Sequence, residues 1–277
     1  MPEFTGKEPF KERIDIILDE LSLGIRWERP SLILVVYRSE FIKKAIQSNL
    51  VESLGESGQA VCQYSVDKSH YDIPVDLKNH PNRRRTVYFV SGLQWGGGRG
   101  YSNAYRALNM HREYLIEGNI RVIFWLTKKE VKQCSKFSPD FWAFRHKVVE
   151  FLELPSKINN RALKSSIGSI HNLYTRKGTD FQMGIAAAEQ FYGLGCIDDA
   201  ILNYRKTLHM YPDQTAINLQ IAEIYLSMGR VPAAKRILIK EARGKMHRVN
   251  FLRELTHLKQ AANSIHLHAG GFYEYFV

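Results

Sequence analysis

The sequence predicts two folds in one chain: an α/β domain built on a parallel sheet over residues 1–155, and an all-α helical array over residues 181–277. Three observations predict this. The apolar runs SLILVVY, TVYFVSGL and IRVIFWLT are too continuous for strands with one wet face, and they alternate with helix-patterned stretches. Such runs stop after about residue 155. Beyond Phe181, alanines, aromatics and glycines recur at a fixed interval.

Taken in order, Lys7–Leu23 carries Ile14, Ile17, Leu18 and Leu21 among charges, an amphipathic helix. A buried strand follows at SLILVVY. Ser39 is placed to cap a helix that runs through Ile42, Ala45, Ile46, Leu50 and Leu54 to the stop at Gly55 and Gly58. AVCQYSV and TVYFVSGL read as strands, SNAYRALNMHREYLIEG as a helix closed by Gly118, and IRVIFWLT as a further strand. A last strand is expected at Val148–Leu152. Strand and helix alternate throughout, so right-handed crossovers should join a parallel sheet covered on both faces. Residues 156–180 read as a basic linker containing one helix.

The C-terminal array rests on spacing. Ala188, Phe191, Gly195 and Ala200 are followed one repeat period later by Ala222, Tyr225, Gly229 and Ala234, with Tyr204 and Pro212 completing the first unit. This resembles the tetratricopeptide repeat, in which small residues let two helices pack closely and a glycine turns the chain between them. Units at 181–214 and 215–248 are predicted, followed by a capping helix. The resemblance implies a groove for a protein partner, with Gln182, Ile185, Glu189, Tyr192, Ala216, Leu219, Glu223 and Leu226 facing its concave side.

Composition narrows the function classes. The 277 residues carry a formal net charge of +11, with 44% hydrophobic and 24% charged residues, values of a folded chain with a basic surface. That charge keeps nucleic acid open as a partner, through Lys235, Arg236, Lys240, Arg243, Lys245 and Arg248. The three cysteines have no zinc or disulfide spacing. No apolar run approaches the roughly 20 residues that span a bilayer, and no export signal is visible. A soluble, cytoplasmic protein with no membrane partner is expected.

The first domain has the strand, turn and helix order in which P-loop NTPases hold phosphate on GxxxxGK[ST]. Aligned on Lys43, this chain reads YRSEFIKK. Tyr37 and Ile42 replace both glycines, and Lys44 replaces the magnesium-binding hydroxyl. The candidate Walker-B strand ends in Ser91, Gly92 and Gln94 without an acid. The expectation is therefore a P-loop NTPase-like α/β domain without a P-loop, with neither ATPase activity nor a cofactor. WGGGRG at Trp95–Gly100 matches no phosphate-loop spacing, although Arg83, Arg84, Arg85 and Arg99 offer anion binding near it as a minority reading. No catalytic or metal-binding residue is nominated: there is no GxSxG elbow, and the histidines make no ligand spacing.

From Thr86 to Leu152, ALNMHREYLIEGNIRVIFWLT followed by SPDFWAFRHKVVEF resembles prokaryotic STAND-type or AAA-like proteins, in which a P-loop-derived domain precedes tetratricopeptide repeats. The resemblance implies structural or regulatory roles for Asn109, Arg112, Trp125, Pro139, Asp140, Phe141, Trp142 and Arg145. It also implies a setting in signalling or defence. Read by themselves, Phe141, Trp142 and Phe144 beside Arg145 form an aromatic wedge with guanidinium stacking, expected between sheet and linker. The leading functional expectation is a non-enzymatic adaptor that docks a protein through the repeat. A nucleic-acid-binding accessory protein and a nucleotide-responsive switch are the alternatives.

Overall fold

The computed structural model describes residues 7–153 and 179–244. These divide into two compact units, one of residues 7–153 with Gly193–Asp198, the other of residues 179–192 with 199–244. The linker, the capping helix and the end of the second predicted repeat fall outside the described residues.

The first unit runs α1 (Lys7–Arg26), β1 (Ser31–Tyr37), α2 (Glu40–Glu56), β2 (Ala60–Ser65), α3 (Ile73–Lys78), β3 (Thr86–Ser91), α4 (Asn103–His111), α5 (Glu113–Glu117), β4 (Arg121–Thr127), α6 (Lys128–Phe137), α7 (Pro139–Phe144) and β5 (Lys147–Phe151). Its strands form one five-stranded sheet in the order β2-β3-β4-β1-β5. Every pair is parallel. All seven residues of β1 are buried, because the strand lies between β4 and β5 and is covered on both faces. The apolar run has a place only there.

The two faces bury different helices. Leu32, Leu34, Tyr88, Val122 and Phe124 point to the face covered by α3 to α7, where Tyr105, Leu108, Leu115, Cys134 and Phe141 meet them. Ile33, Val35, Phe89, Ile123 and Trp125 point to the face covered by α1 and α2, against Ile17, Leu21, Ile42, Ile46 and Leu50. Each fully buried aliphatic or aromatic side chain contributes about 1.5–3 kcal/mol of transfer free energy. The result is a helix–sheet–helix sandwich.

Local chemistry sets several element starts. Ser39 caps α2 through Phe41 N at 3.2 Å. Ser102 caps α4 through Ala104 N at 3.2 Å. Pro139 opens α7 at a position where no amide is needed. Phe141 is fully buried and meets Phe124 edge to face at 5.1 Å. Arg145 lies over Trp142 at 4.4 Å and Arg112 over Phe144 at 5.3 Å. The wedge thus packs on the sheet's own core, with guanidinium stacking; the linker invoked for its other side lies outside the described residues.

The second unit contains α8 (Thr179–Gly193), α9 (Ile197–Met210), α10 (Thr215–Ser227) and α11 (Val231–Gly244), and the turn residues at 193–198 belong to the first unit. Gly195 and Gly229, equivalent positions of the two predicted repeats, have the same φ of 68° between the members of each helix pair. Ala188, Ala222, Ala200 and Ala234 are all fully buried. Equivalent contacts recur as well. Gly184 packs against Thr207, and at the same two repeat positions Asn218 donates to Glu241. Phe181 closes the first pair edge to face on Tyr211, 5.2 Å away.

Candidate site at the carboxyl edge of the sheet

Strand order defines where a crevice opens. β1 is followed by α2 on one face, while its neighbour β4 is followed by α6 on the other. The chain leaves adjacent parallel strands in opposite directions at Tyr37 and Thr127, which are partners in register. Ligands of open α/β sheets bind at such a switch point.

Four segments line it. The first turn of α2 brings Glu40 and Lys43, whose carboxylate and ammonium lie 3.3 Å apart. Tyr37, at the end of β1, donates its hydroxyl to Glu40 Oε1 at 2.7 Å and carries the Lys43 ammonium 4.8 Å above its ring. Burial first, and the Glu40 charge second, push the Tyr37 phenol well above its ordinary value. The lysine that sequence alignment placed at a phosphate is thus held inside a knot of its own chain.

Glu130 enters from the first turn of α6. It forms a capping box with Thr127: Glu130 Oε2 accepts from Thr127 N at 3.0 Å and Thr127 Oγ1 from Glu130 N at 3.4 Å. Glu130 Oε1 also accepts from Gln94 N, just beyond β3, at 3.3 Å. Burial holds this carboxyl above its ordinary value, the Asp198 charge adds to the rise, and the two amides and Lys43 oppose it. Asp198 Oδ2 is buried with no hydrogen-bond partner among the described residues. Glu40 thus pairs with Lys43, while the charges of Lys43 and Asp198 both bear on Glu130.

The start of α2 is covered. Ser39 Oγ donates to Leu194 O at 2.6 Å, and Glu40 N donates to Gly195 O at 2.9 Å. Gly195 is needed there: its φ is positive, and a Cβ would sit 3.0 Å from the Phe41 ring and 3.1 Å from Ser39 Oγ. Backbone carbonyls of residues 194 and 195 stand at the helix terminus where a phosphate-binding loop would present free amides.

The glycine run is also closed. Gly97, Gly98 and Gly100 have φ of 74°, 93° and 83°. Asn103 N donates to Gly97 O at 3.2 Å, so the loop wraps the start of α4 and satisfies its amides. A Cβ on Gly98 would lie 2.3 Å from Tyr101 O.

The proposed gathering of Arg83, Arg84 and Arg85 with this loop is corrected. The three arginines form a turn immediately before β3, whereas Gly96–Gly100 follows it. A six-residue strand separates its two ends by about 17–20 Å, so the arginines lie at the amino edge. Cys134 offers no nucleophile, since burial pushes its thiol up to about 12.

In the second unit, Gln182, Tyr192 and Glu223 are exposed and Leu219 and Leu226 half-buried. Ile185 is only 5% exposed, so it packs the array rather than facing outward. Glu189 is half-buried; its Oε1 has no partner among the described residues, and burial raises its carboxyl. Lys235, Arg236 and Lys240 are exposed on α11. Arg243 lies in the last turn of that helix, and Lys245 and Arg248 lie outside the described residues. Sequence reasoning passed over Glu130; the signal was Thr127-x-x-Glu130 at a strand end, a capping-box pattern.

No protein-family model and no curated protein matches this chain. Among solved structures it is similar to the ORC2 protein of Aeropyrum pernix in its ADPNP–ADP complexes, at 12% identity, with 93% of this chain and 86% of that one covered and a TM-score of 0.39. It is also similar to the replication initiator DnaA bound to AMPPCP and single-stranded DNA, at 14% identity, 99% and 94% coverage and a TM-score of 0.38. For AMPPCP-bound DnaA from Aquifex aeolicus the identity is 14%, the coverage 94% and 90%, and the TM-score 0.34. At these scores the reading of the site rests on its own residues.

Proposed function

We propose that this chain is a non-enzymatic adaptor or regulatory protein: a P-loop-like α/β unit that has given up nucleotide, joined to a tetratricopeptide-like array that docks a protein partner, in a prokaryotic signalling or defence setting. The observation that carries this reading is the occupied start of α2. Ser39 and Glu40 are bonded to the carbonyls of Leu194 and Gly195, and Lys43 is paired with Glu40. A triphosphate entering there would have to displace both carbonyls and approach the carboxylates of Glu40, Glu130 and Asp198. Like charge in a buried crevice makes that unfavourable.

With nucleotide set aside, the helix pairs supply the binding surface. Tyr192 and Leu226 stand at equivalent positions of the two repeats, as do Glu189 and Glu223, and together they combine apolar and acidic character. The test has two parts. A thermal-shift series with ATP and magnesium, together with a phosphate-release assay, is expected to show neither stabilisation nor turnover; clear turnover overturns the reading. Pull-downs from the native host with wild type and with Q182K/Y192K/E223K are expected to differ in the proteins recovered. Identical recovery removes the docking role.

A further inference from the structure

The amino edge of the sheet carries more positive charge than its carboxylates neutralise among the described residues. The chains entering β1, β4 and β3 rise side by side, because Ser31 and Val87 are both register partners of Arg121. Strands lie about 4.8 Å apart, which sets the loop before β1 and the turn before β3 about 10 Å from each other across β4.

Arg121 links them. It is 2% exposed, donates to the carbonyl of Arg84, and has a buried Nε with no hydrogen-bond partner among the described residues. The Nε of Arg83 is likewise buried without a partner among them. Glu28, held at a φ of 46°, is the one carboxylate among the described residues whose charge bears on Arg121. Arg84 and Arg85 are exposed, and so is Arg26 at the end of α1. No carboxylate pairs with any of these three among the described residues, whereas Arg29 is engaged by Glu20 at 3.3 Å. Clustered, partly desolvated guanidiniums repel one another and favour an external polyanion.

Trp27, next to Arg26 in the loop before β1, is 70% exposed, the most exposed of the large hydrophobic side chains described. An indole in water beside unpaired arginines offers a π-face together with phosphate-binding charge. That combination recognises unstacked bases; a duplex keeps its base faces buried.

We propose that the amino edge of the sheet, at Arg26, Trp27, Arg84 and Arg85, binds single-stranded nucleic acid, its guanidiniums holding phosphates while Trp27 stacks on a base. This surface belongs to the first unit and is separate from the basic face of α11.

The experiment is fluorescence anisotropy of a labelled single-stranded oligothymidine 20-mer titrated with the full chain at 50 and 200 mM salt. Four phosphate contacts, with Arg83 as the fourth cation, predict a loss of affinity of about 50-fold over that interval, from a slope near −0.7 per contact. R84Q/R85Q is expected to weaken binding at least tenfold at 50 mM salt and to halve the slope. W27A weakens it about tenfold, and intrinsic fluorescence is quenched by the oligonucleotide in wild type but not in W27F. K235E/R236E/K240E, on α11, leaves binding within twofold. Circular dichroism confirms that each variant folds; if R84Q/R85Q does not, R26Q/W27A tests the same surface. Unchanged binding by the edge variants, loss of binding confined to the α11 variant, or equal affinity for duplex without quenching each overturns the proposal.

Discussion

Asn109 and Asp140 hold each other through two hydrogen bonds between α4 and the start of α7: the Asn109 side-chain amide donates to Asp140 Oδ2 at 3.1 Å, and Asn109 Oδ1 accepts the Asp140 backbone amide at 2.9 Å. The asparagine thus acts as the cap that α7 otherwise lacks, since Ser138 makes no side-chain cap there. Asn109→Ala is expected to cost about 1–2 kcal/mol, the range for losing a cap, read as a lower urea midpoint.

Glu130 gives stability a pH slope of known sign. Its folded-state value is raised above the ordinary 4.5, so the folded chain holds this proton more tightly than the unfolded one. The contribution is complete below the unfolded value and declines as pH rises through the folded value. Glu130→Gln removes the titration and one of the two acceptors. Its urea midpoint should lie below wild type at pH 4.5, and the gap should close as pH rises to 7.5. A gap constant with pH would mean that Glu130 does not titrate differently on folding.

Gly184 fits against Thr207 with no room to spare: a Cβ there would lie 2.2 Å from Thr207 Oγ1. Gly184→Ala should destabilise the second unit by about 1–3 kcal/mol, as overpacking does. Thr207→Ala in the same chain removes the offending hydroxyl and should restore part of the loss. A double-mutant cycle in urea measures that coupling, and strict additivity contradicts the contact.

The two turn glycines separate backbone strain from crowding. Both have a φ of 68°, but a Cβ on Gly229 meets nothing within 4 Å, whereas one on Gly195 meets Phe41 and Ser39. Gly229→Ala should cost about 1–2 kcal/mol from the left-handed backbone alone. Gly195→Ala should cost measurably more in the same thermal melt.

How far the sequence foretold the fold follows from the range of each signal. SLILVVY, TVYFVS and RVIFWLT were legible because a strand covered on both faces has no polar alternation to confuse it. The last strand, expected at Val148–Leu152 and found at Lys147–Phe151, is an edge strand buried only at Val149 and Phe151, and its short apolar run was the signal. α6 was not: KKEVKQCSKF offers a stripe of only Val131, Cys134 and Phe137 among charges, and its start rests on the Thr127–Glu130 box. The crevice was hidden altogether. Glu40 and Glu130 lie far apart in the sequence and the crossover order brings them together, while Asp198, which acts on Glu130, comes from the turn at 193–198. The arginine turn was misplaced because nearness in sequence to the glycine run hid the length of β3 between them.

The position of β1 in the sheet has a consequence during synthesis. Its partners β4 and β5 come later in the chain: β1 ends at Tyr37, and β4 begins only at Arg121. At about 5–20 residues per second, a ribosome needs several seconds to make the stretch between them. For that time SLILVVY is an unpaired strand with apolar side chains on both faces, the kind of segment that self-associates. Helix α1, made before β1, and the capped α2 that follows it can cover only the face that carries Ile33 and Val35. Emergence of α2 completes the cover of that face while the other waits for α3 to α7, and a change that delays its start at Ser39 should show first as a lower yield of soluble protein.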